Sequence, residues 1–141
     1  MGITVVSATA LLIAGVAVAL ASANVSYEAG KHSKPPYVFL TVSHGKVTTV
    51  RWDIHEGPVY CGDGSGVTHL NAPIKHGQFS KSVKYTFGNS PLGPSSGTTT
   101  VRGTVSANHV TVRVTDEELI TSLGDCSGSH RFVATKTARF H

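Results

Sequence analysis

Eight histidines are the side chains of this sequence that could bind a metal ion. Zinc needs three or four converging ligands, and two of them usually have the spacing H-x-H or H-x-x-x-H. No two histidines here are spaced in either way. His44, His76 and His109 lie at or beside predicted hairpin turns, so they would meet only if those turns gathered at one end of the molecule. We therefore predict exposed turn histidines and no metal site. The full set is His32, His44, His55, His69, His76, His109, His130 and His141.

Four carboxylates could supply an acid and a base for hydrolysis: Asp53, Glu56, Glu117 and Glu118. Glycoside cleavage places two carboxyl groups at a defined separation, and nothing in the sequence fixes a separation between any two of these. Solvated surface charge is the expected role of all four. We therefore predict no catalytic residue among them.

Two glycine-rich segments contain aspartate and serine, as catalytic or calcium-binding loops do. Gly62-Asp63-Gly64-Ser65-Gly66 and Gly124-Asp125-Cys126-Ser127-Gly128 lack the order of a trypsin-like nucleophile loop, in which serine stands between aspartate and two glycines. Asp63 to Gly66 could begin a calcium loop, but the further carboxylates that such a loop needs are absent nearby. Both segments therefore read as tight turns.

The only two cysteines, Cys61 and Cys126, lie in these two segments, and we predict that they form one disulfide. An even, minimal cysteine count fits a single structural bridge in an exported chain. Closing a loop of about 65 residues would stabilise the fold by roughly 4 kcal/mol on the chain-entropy model. A pair of free thiols is the alternative.

The first 23 residues carry no charged side chain. An apolar run ends in Ala21-Ser22-Ala23, the small-x-small pattern that signal peptidase cleaves, so we predict a signal peptide over residues 1–23 with cleavage after Ala23, or else after Ala21. The alternative is an uncleaved membrane anchor over residues 3–21, because that run is nearly long enough to span a bilayer. The expected location is extracellular.

Charge is mild and scattered in the rest of the chain. Twelve Lys and Arg stand against eight Asp and Glu, a net charge of +4, and no two basic residues are adjacent. Nucleic acid is therefore not an expected partner. Weak attraction to anionic cell-envelope polymers is possible in principle, although solubility alone would account for the charge.

Alternating apolar residues predict an all-β domain over residues 37–141, preceded by a tether or irregular first strand over 24–36. His44-Gly45 and His76-Gly77 have the sequence of two-residue hairpin turns, and Ala107-Asn108 marks a third hairpin. Trp52 should lie in the core. Residues 88–97 should form a surface loop, because they are rich in glycine and proline. The predicted strands cover 37–43, 46–54, 67–70, 79–87, 98–105, 110–114 and 129–140.

One segment favours a short helix instead of a strand. Thr115 could cap a first turn with Glu118 reaching back to it, and Gly124 could end the helix; an irregular acidic connection is the alternative. For the whole domain we predict an antiparallel β-sandwich of seven or eight strands. Greek-key or jelly-roll connections are expected, because the two cysteines link an early strand to the last one.

The order of these features resembles a group of small, largely uncharacterised secreted bacterial domains. The matching residues are Phe39, Leu40, Val42, Gly45-Lys46-Val47-Thr48, Cys61-Gly62-Asp63-Gly64-Ser65, Gly77-Gln78-Phe79-Ser80, Gly103-Thr104-Val105, Cys126 and Phe132-Val133-Ala134-Thr135-Lys136. The resemblance covers most of the chain after the apolar run. It implies a β-sandwich and an extracellular location without supplying an activity.

We predict a secreted, non-catalytic, monomeric module that binds a protein or a cell-envelope polymer through loops at one end, with no cofactor. Loops on a rigid scaffold commonly carry recognition. One alternative is a small secreted hydrolase, which would need His55 or His130 beside a carboxylate in a cleft. The other is a purely structural envelope protein.

Overall fold

The computed structural model describes residues 24–88 and 92–138, and the segment predicted as a signal peptide lies outside them. These residues form eight strands and one 3-10 turn, without an α-helix. Within the two ranges, no helix has the length and apolar character needed to cross a bilayer. The elements are β1 (Val25–Lys31), β2 (Lys34–Ser43), β3 (Lys46–His55), the 3-10 turn (Val59–Cys61), β4 (Asp63–Pro73), β5 (Gln78–Phe87), β6 (Ser95–Val105), β7 (His109–Ile120) and β8 (Gly124–Thr137).

The eight strands form one sheet in the order β4-β3-β2-β1-β8-β7-β6-β5, and every neighbouring pair is antiparallel. Consecutive strands pair except β4 and β5, which are the two edges of the sheet. The pairing of β1 with β8 curls the sheet round until these two edges face each other. The result is a nearly closed, barrel-like sheet that is open between β4 and β5. The all-β prediction is confirmed, whereas the predicted sandwich is not.

The predicted Greek-key or jelly-roll order was wrong, because the strands follow simple up-and-down order. A bridge from an early strand to the last one does not require a crossover, since in a curled meander the first and last strands are neighbours. The disulfide joins the 3-10 turn after β3 to the start of β8 across the end of the barrel.

The two His-Gly turns have the predicted backbone, but only the first joins paired strands: at the second, Lys75 and Gln78 form a single bridge and β4 and β5 then separate. His44 and Gly45 have φ values of 52° and 71°, and His76 and Gly77 have values of 53° and 72°. Positive φ at both central residues defines the turn whose twist matches that of paired strands. Because strands alternate in direction, the turns β2–β3, β4–β5 and β6–β7 all lie at one end of the barrel, here called the turn end. The opposite end carries the disulfide and is called the disulfide end.

Residues 24–36 form strands rather than a tether. β1 covers Val25–Lys31, and β2 begins at Lys34. The register between these strands shifts between Ala29 and Lys31, and neither Pro35 nor Pro36 is paired with a residue of β1. Proline cannot donate a backbone hydrogen bond, which accounts for the interruption of the ladder at these two residues.

The helix predicted from Thr115 is absent, and the segment instead continues β7 as far as Ile120. The backbone N–H and C=O groups of this segment form hydrogen bonds with β6 on one side and β8 on the other, so they do not need a helix cap. The burial of the segment alternates, with Asp116 buried and Glu117 exposed. An acidic strand thus directs two carboxylates, Asp116 and Glu118, toward the inside of the barrel.

The inward face changes character along the strands. Toward the turn end it is apolar, and Trp52 is buried in this core as predicted, with 4% of its surface exposed. Toward the disulfide end the same face carries hydroxyls, carboxylates and glycines. In β7, for example, Val110, Val112 and Val114 are followed by Asp116 and Glu118. The apolar part includes Tyr27, Leu40, Val42, Val47, Val50, Leu70, Phe79, Val101, Val105 and Phe132.

Candidate functional site

The segment after β3 crosses the disulfide end and places Glu56 inside it. Gly57 and Ser127 exchange backbone hydrogen bonds with N···O distances of 2.9 and 3.3 Å, which ties the segment to β8. The predicted disulfide is present, and the Cα atoms of Cys61 and Cys126 are 5.6 Å apart. The bridge therefore holds residues 56–62 across the barrel, and Glu56 continues the inward face of Ile54.

Three carboxylates meet at this end. Ligand atoms of Glu56, Asp116 and Glu118 all lie within 4.8 Å of one another. Asp116 is 1% exposed and Glu56 is 6% exposed. The Tyr85 hydroxyl donates to both Asp116 oxygens, at 2.8 and 2.9 Å, and Thr99 Oγ1 donates to Asp116 Oδ1 at 3.0 Å. Asp116 is thus buried, and both of its oxygens accept hydrogen bonds from hydroxyl groups of β5 and β6.

Glu56 carries a proton at neutral pH. Burial is the largest cause, and a hydrogen bond to Asp116 together with the charges of Asp116 and Glu118 adds to it, so that the Glu56 pKa is raised to about 9. The same surroundings raise the pKa of Tyr85, again chiefly through burial. One Glu56 oxygen, Oε1, is buried without a hydrogen-bond partner.

Glycines on neighbouring strands make the space for these side chains. A Cβ atom on Gly64 would meet the Glu56 carboxyl, and one on Gly128 would lie 3.2 Å from Glu56 Cγ. A Cβ atom on Gly97 would clash with the Tyr85 hydroxyl and with the Glu117 carbonyl oxygen. Glycine is thus required here by close approach rather than by turn geometry.

Replacing Gly97 with alanine is expected to destabilise the protein by about 1–3 kcal/mol, because the methyl group displaces the Tyr85 hydroxyl from Asp116. Urea denaturation of the variant would measure the loss. Gly88→Ala is the matched control, since nothing lies within 4 Å of a Cβ atom there. Equal stability of the two variants would contradict this account of Gly97.

A cavity of 320 Å³ lies beside the carboxylates, in the gap between β4 and β5. Asp116 and Glu118 lie on one wall, and Trp52, Val83 and Phe87 supply apolar surface. Tyr85 and Thr99 also line it, so the groups that hold Asp116 border the cavity. Its volume is at the lower end of the range for small-molecule sites, which suits a small molecule or a single side chain.

Of the four carboxylates considered from the sequence, Glu56 and Glu118 join the site, and Asp53 and Glu117 lie on strand positions that face outward. Asp116 was not predicted from the sequence as a site residue, because it fell in the first turn of the short helix predicted from Thr115. The available signal was the period of two: Val110, Val112 and Val114 predict an inward position at 116 once the strand is extended.

The histidines of the turn end do not converge. Among the described residues, the group that could hold a metal ion is the carboxylate trio, and it includes no histidine. His44 Nδ1 is 2.7 Å from Ser43 Oγ, and His109 Nδ1 is 2.9 Å from Ser106 Oγ. The prediction of separate turn histidines therefore agrees with the structure for His44 and His109.

One histidine–carboxylate contact of the kind required for a hydrolase is present. His55 Nδ1 lies 2.7 Å from Asp63 Oδ1, but both side chains are exposed on the outer face and belong to a cross-strand pair of β3 and β4. Asp63 to Gly66 form the start of β4 rather than a calcium loop. His130 instead stacks near Phe132, with ring centroids 4.5 Å apart.

Fold and site together define an up-and-down, barrel-like β protein with a small cavity that is acidic on one wall. Comparisons with models of protein families, with curated proteins and with solved structures find no match for this chain.

Proposed function

We propose that the protein is an exported, non-catalytic binding module whose cavity takes an ammonium-bearing group of a protein or of a cell-envelope polymer. The observation that carries this proposal is the cavity between β4 and β5, with Asp116 and Glu118 on one wall and apolar side chains opposite. Export is supported by the disulfide, which is typical of proteins that meet an oxidising compartment. The resemblance to small secreted bacterial domains remains a prediction.

Charge favours a cation in this cavity. Glu118 is half-buried, and within residues 24–88 and 92–138 the hydrogen bond to its carboxylate is a long one of 3.4 Å from the Tyr85 hydroxyl. It can therefore accept hydrogen bonds from an ammonium group. The Asp116 carboxyl group adds to the acidic character of the same wall, and its oxygens already accept hydrogen bonds from Tyr85 and Thr99. The rings of Trp52 and Phe87 line the same cavity and suit both the apolar stem of the ligand and its cationic head.

A hard metal ion suits the site less well. Calcium takes six to eight oxygen ligands, and the Tyr85 hydroxyl, whose single proton is shared between the two Asp116 oxygens, would have to turn that proton away from the ion. Glu56 would also have to lose the proton that it shares with Asp116. An ammonium group requires neither change, and it also uses the aromatic surface.

The chain contains one tryptophan, so its fluorescence reports on this cavity directly. We expect Nα-acetyl-lysine methyl ester to change the emission of Trp52 in a saturable way, and its Nε-acetylated, neutral counterpart to have no effect. Glu118→Gln is expected to weaken binding about tenfold or more, since it removes a charged hydrogen bond worth about 1.5–3 kcal/mol. Glu117→Gln, one residue away and facing outward, is the matched control.

Three results would contradict the proposal: equal binding of the neutral ester, equal weakening by the two variants, or no saturable response to any amine. A response to Ca²⁺ alone would replace the ammonium ligand with a metal ion.

A hydrolase is the second candidate, and one observation favours it. A protonated Glu56 beside the Asp116 carboxylate is an acid–base pair with divided protonation, as in many hydrolytic enzymes. Against it, Glu56 does not line the cavity, and its free oxygen is buried. Turnover of a glycoside or ester substrate that Glu56→Gln abolishes would establish this candidate over the binding module.

A further inference from the structure

Three arginines form a row across the outer face of the barrel. Arg102 in β6 pairs directly with Arg113 in β7, and Arg113 pairs with Arg131 in β8. Their neighbours along the strands, such as Val101, Val112 and Phe132, are buried, so the arginines occupy the outward positions. Adjacent strands lie about 4.8 Å apart, and the three backbone positions therefore span roughly 10 Å at right angles to the strands.

Such a row works against folding, because like charges directly opposite each other across a sheet repel. None of the three has a carboxylate partner in residues 24–88 and 92–138, where the recorded ion pair is the distant His55–Asp63. Arg113 donates to the Ser129 hydroxyl at 3.2 Å, which orients the side chain without neutralising it. The positive charge of the row is thus left available to a ligand.

The row lines a groove with a volume of 880 Å³. Lys75 and His76, from the β4–β5 turn, extend the same groove at the turn end. Ser80 and Thr111 add hydroxyl groups along it. The groove therefore combines positive charge with neutral hydrogen-bonding groups, and it lies on the outer surface, separate from the acidic cavity.

We propose that this groove binds a linear polyanion, with phosphate or carboxylate groups spaced at roughly 5–10 Å, that crosses β6, β7 and β8 along the arginine row. Guanidinium groups bind either anion through paired hydrogen bonds. Nucleic acid is disfavoured, because single-stranded chains bind on exposed aromatic platforms and the one aromatic side chain of the groove, Phe79, is buried. The site does not depend on the function proposed for the cavity.

The test compares two triple variants that remove the same charge. Arg102→Gln/Arg113→Gln/Arg131→Gln removes the row, and Lys31→Gln/Lys34→Gln/Lys46→Gln removes three charges from β1 to β3. Each takes the net charge from +4 to +1, since 4 − 3 = 1. Binding of linear polyphosphate and of polygalacturonate would be measured from 50 to 200 mM salt, with single-stranded DNA as a third probe.

We expect the row variant to lose at least 30-fold in affinity for polyphosphate or polygalacturonate, and the lysine variant to lose less than about fivefold. Each single Arg→Gln substitution should lower the slope of log affinity against log salt by about 0.7. The probe that binds more tightly identifies the anionic group. The row variant should melt at the same temperature as the parent or higher, because repulsion is removed, so that lost binding cannot be ascribed to unfolding.

Equal losses in the two triple variants would overturn the proposal, since net charge alone would then explain binding. So would the absence of polyanion binding at 50 mM salt. Tighter binding of single-stranded DNA than of either polymer would replace the proposed ligand with a nucleic acid.

Discussion

Removal of the disulfide is expected to lower the free energy of unfolding by about 4 kcal/mol. Cys61 and Cys126 are 65 residues apart in sequence, and a cross-link of that length restricts the unfolded chain by roughly this amount on the chain-entropy model. In a domain of this size the loss corresponds to a fall in melting temperature on the order of 15 °C. Urea denaturation of Cys61→Ala/Cys126→Ala beside the oxidised parent would measure it.

The parent treated with reductant is the internal control for this experiment. It should lose about as much stability as the double variant, and the variant itself should not respond to reductant. The site should change as well, because the bridge holds residues 56–62 across the barrel, so lysine ester binding at Trp52 should weaken with the loss of the bridge. A loss of stability below about 1 kcal/mol would contradict the role assigned to the disulfide.

Glu56→Gln is expected to stabilise the protein at pH 7 and to remove most of its pH dependence between pH 5 and 9. The Glu56 pKa is about 9 in the folded protein and 4.5 for an unperturbed group. Between these values the folded state holds a proton that the unfolded state lacks, so stability is greatest below pH 4.5 and falls with rising pH by up to about 1.4 kcal/mol per unit. The amide group of glutamine can donate a hydrogen bond to Asp116 without taking up a proton. The free energy of unfolding of the variant at pH 7 is therefore expected to exceed that of the parent by up to about 3 kcal/mol.

The measurement is the free energy of unfolding of both proteins at several values between pH 5 and 9. Glu117→Gln changes an exposed carboxylate of β7, next to Asp116 in sequence, and should leave the pH profile of the parent intact. If the profile of Glu56→Gln still falls with pH as the parent's does, then Glu56 is not the group that takes up the proton.

Much of the local structure follows from short-range pattern. The period of two along β3 places Trp52 inside, and the His-Gly pairs at 44–45 and 76–77 form the predicted turns. The cysteine pair also forms the predicted bridge. The position of Trp52 and the two turns depend on residues that are close in sequence, and the bridge depends on the presence of two cysteines. Both kinds of information can be taken directly from the sequence.

The errors came from long-range pairing. The acidic segment after Thr115 has the local signature of a helix cap, yet hydrogen bonding to β6 and β8 makes it a strand. Likewise, a bridge from an early strand to the last one fits either a Greek key or a curled meander, and only the pairing of β1 with β8 distinguishes them.

The sequence by itself determined the all-β class, the turns and the disulfide, because alternation, turn residues and cysteine count are properties of the chain. Tertiary structure alone decided the two sites. Glu56, Asp116 and Glu118 meet because a cross-link folds one segment over the barrel end. The three arginines stand in one row because the register of β6, β7 and β8 aligns residues that are 11 and 18 positions apart, since 113 − 102 = 11 and 131 − 113 = 18. Register is set by the packing of the whole sheet, and no short segment contains it.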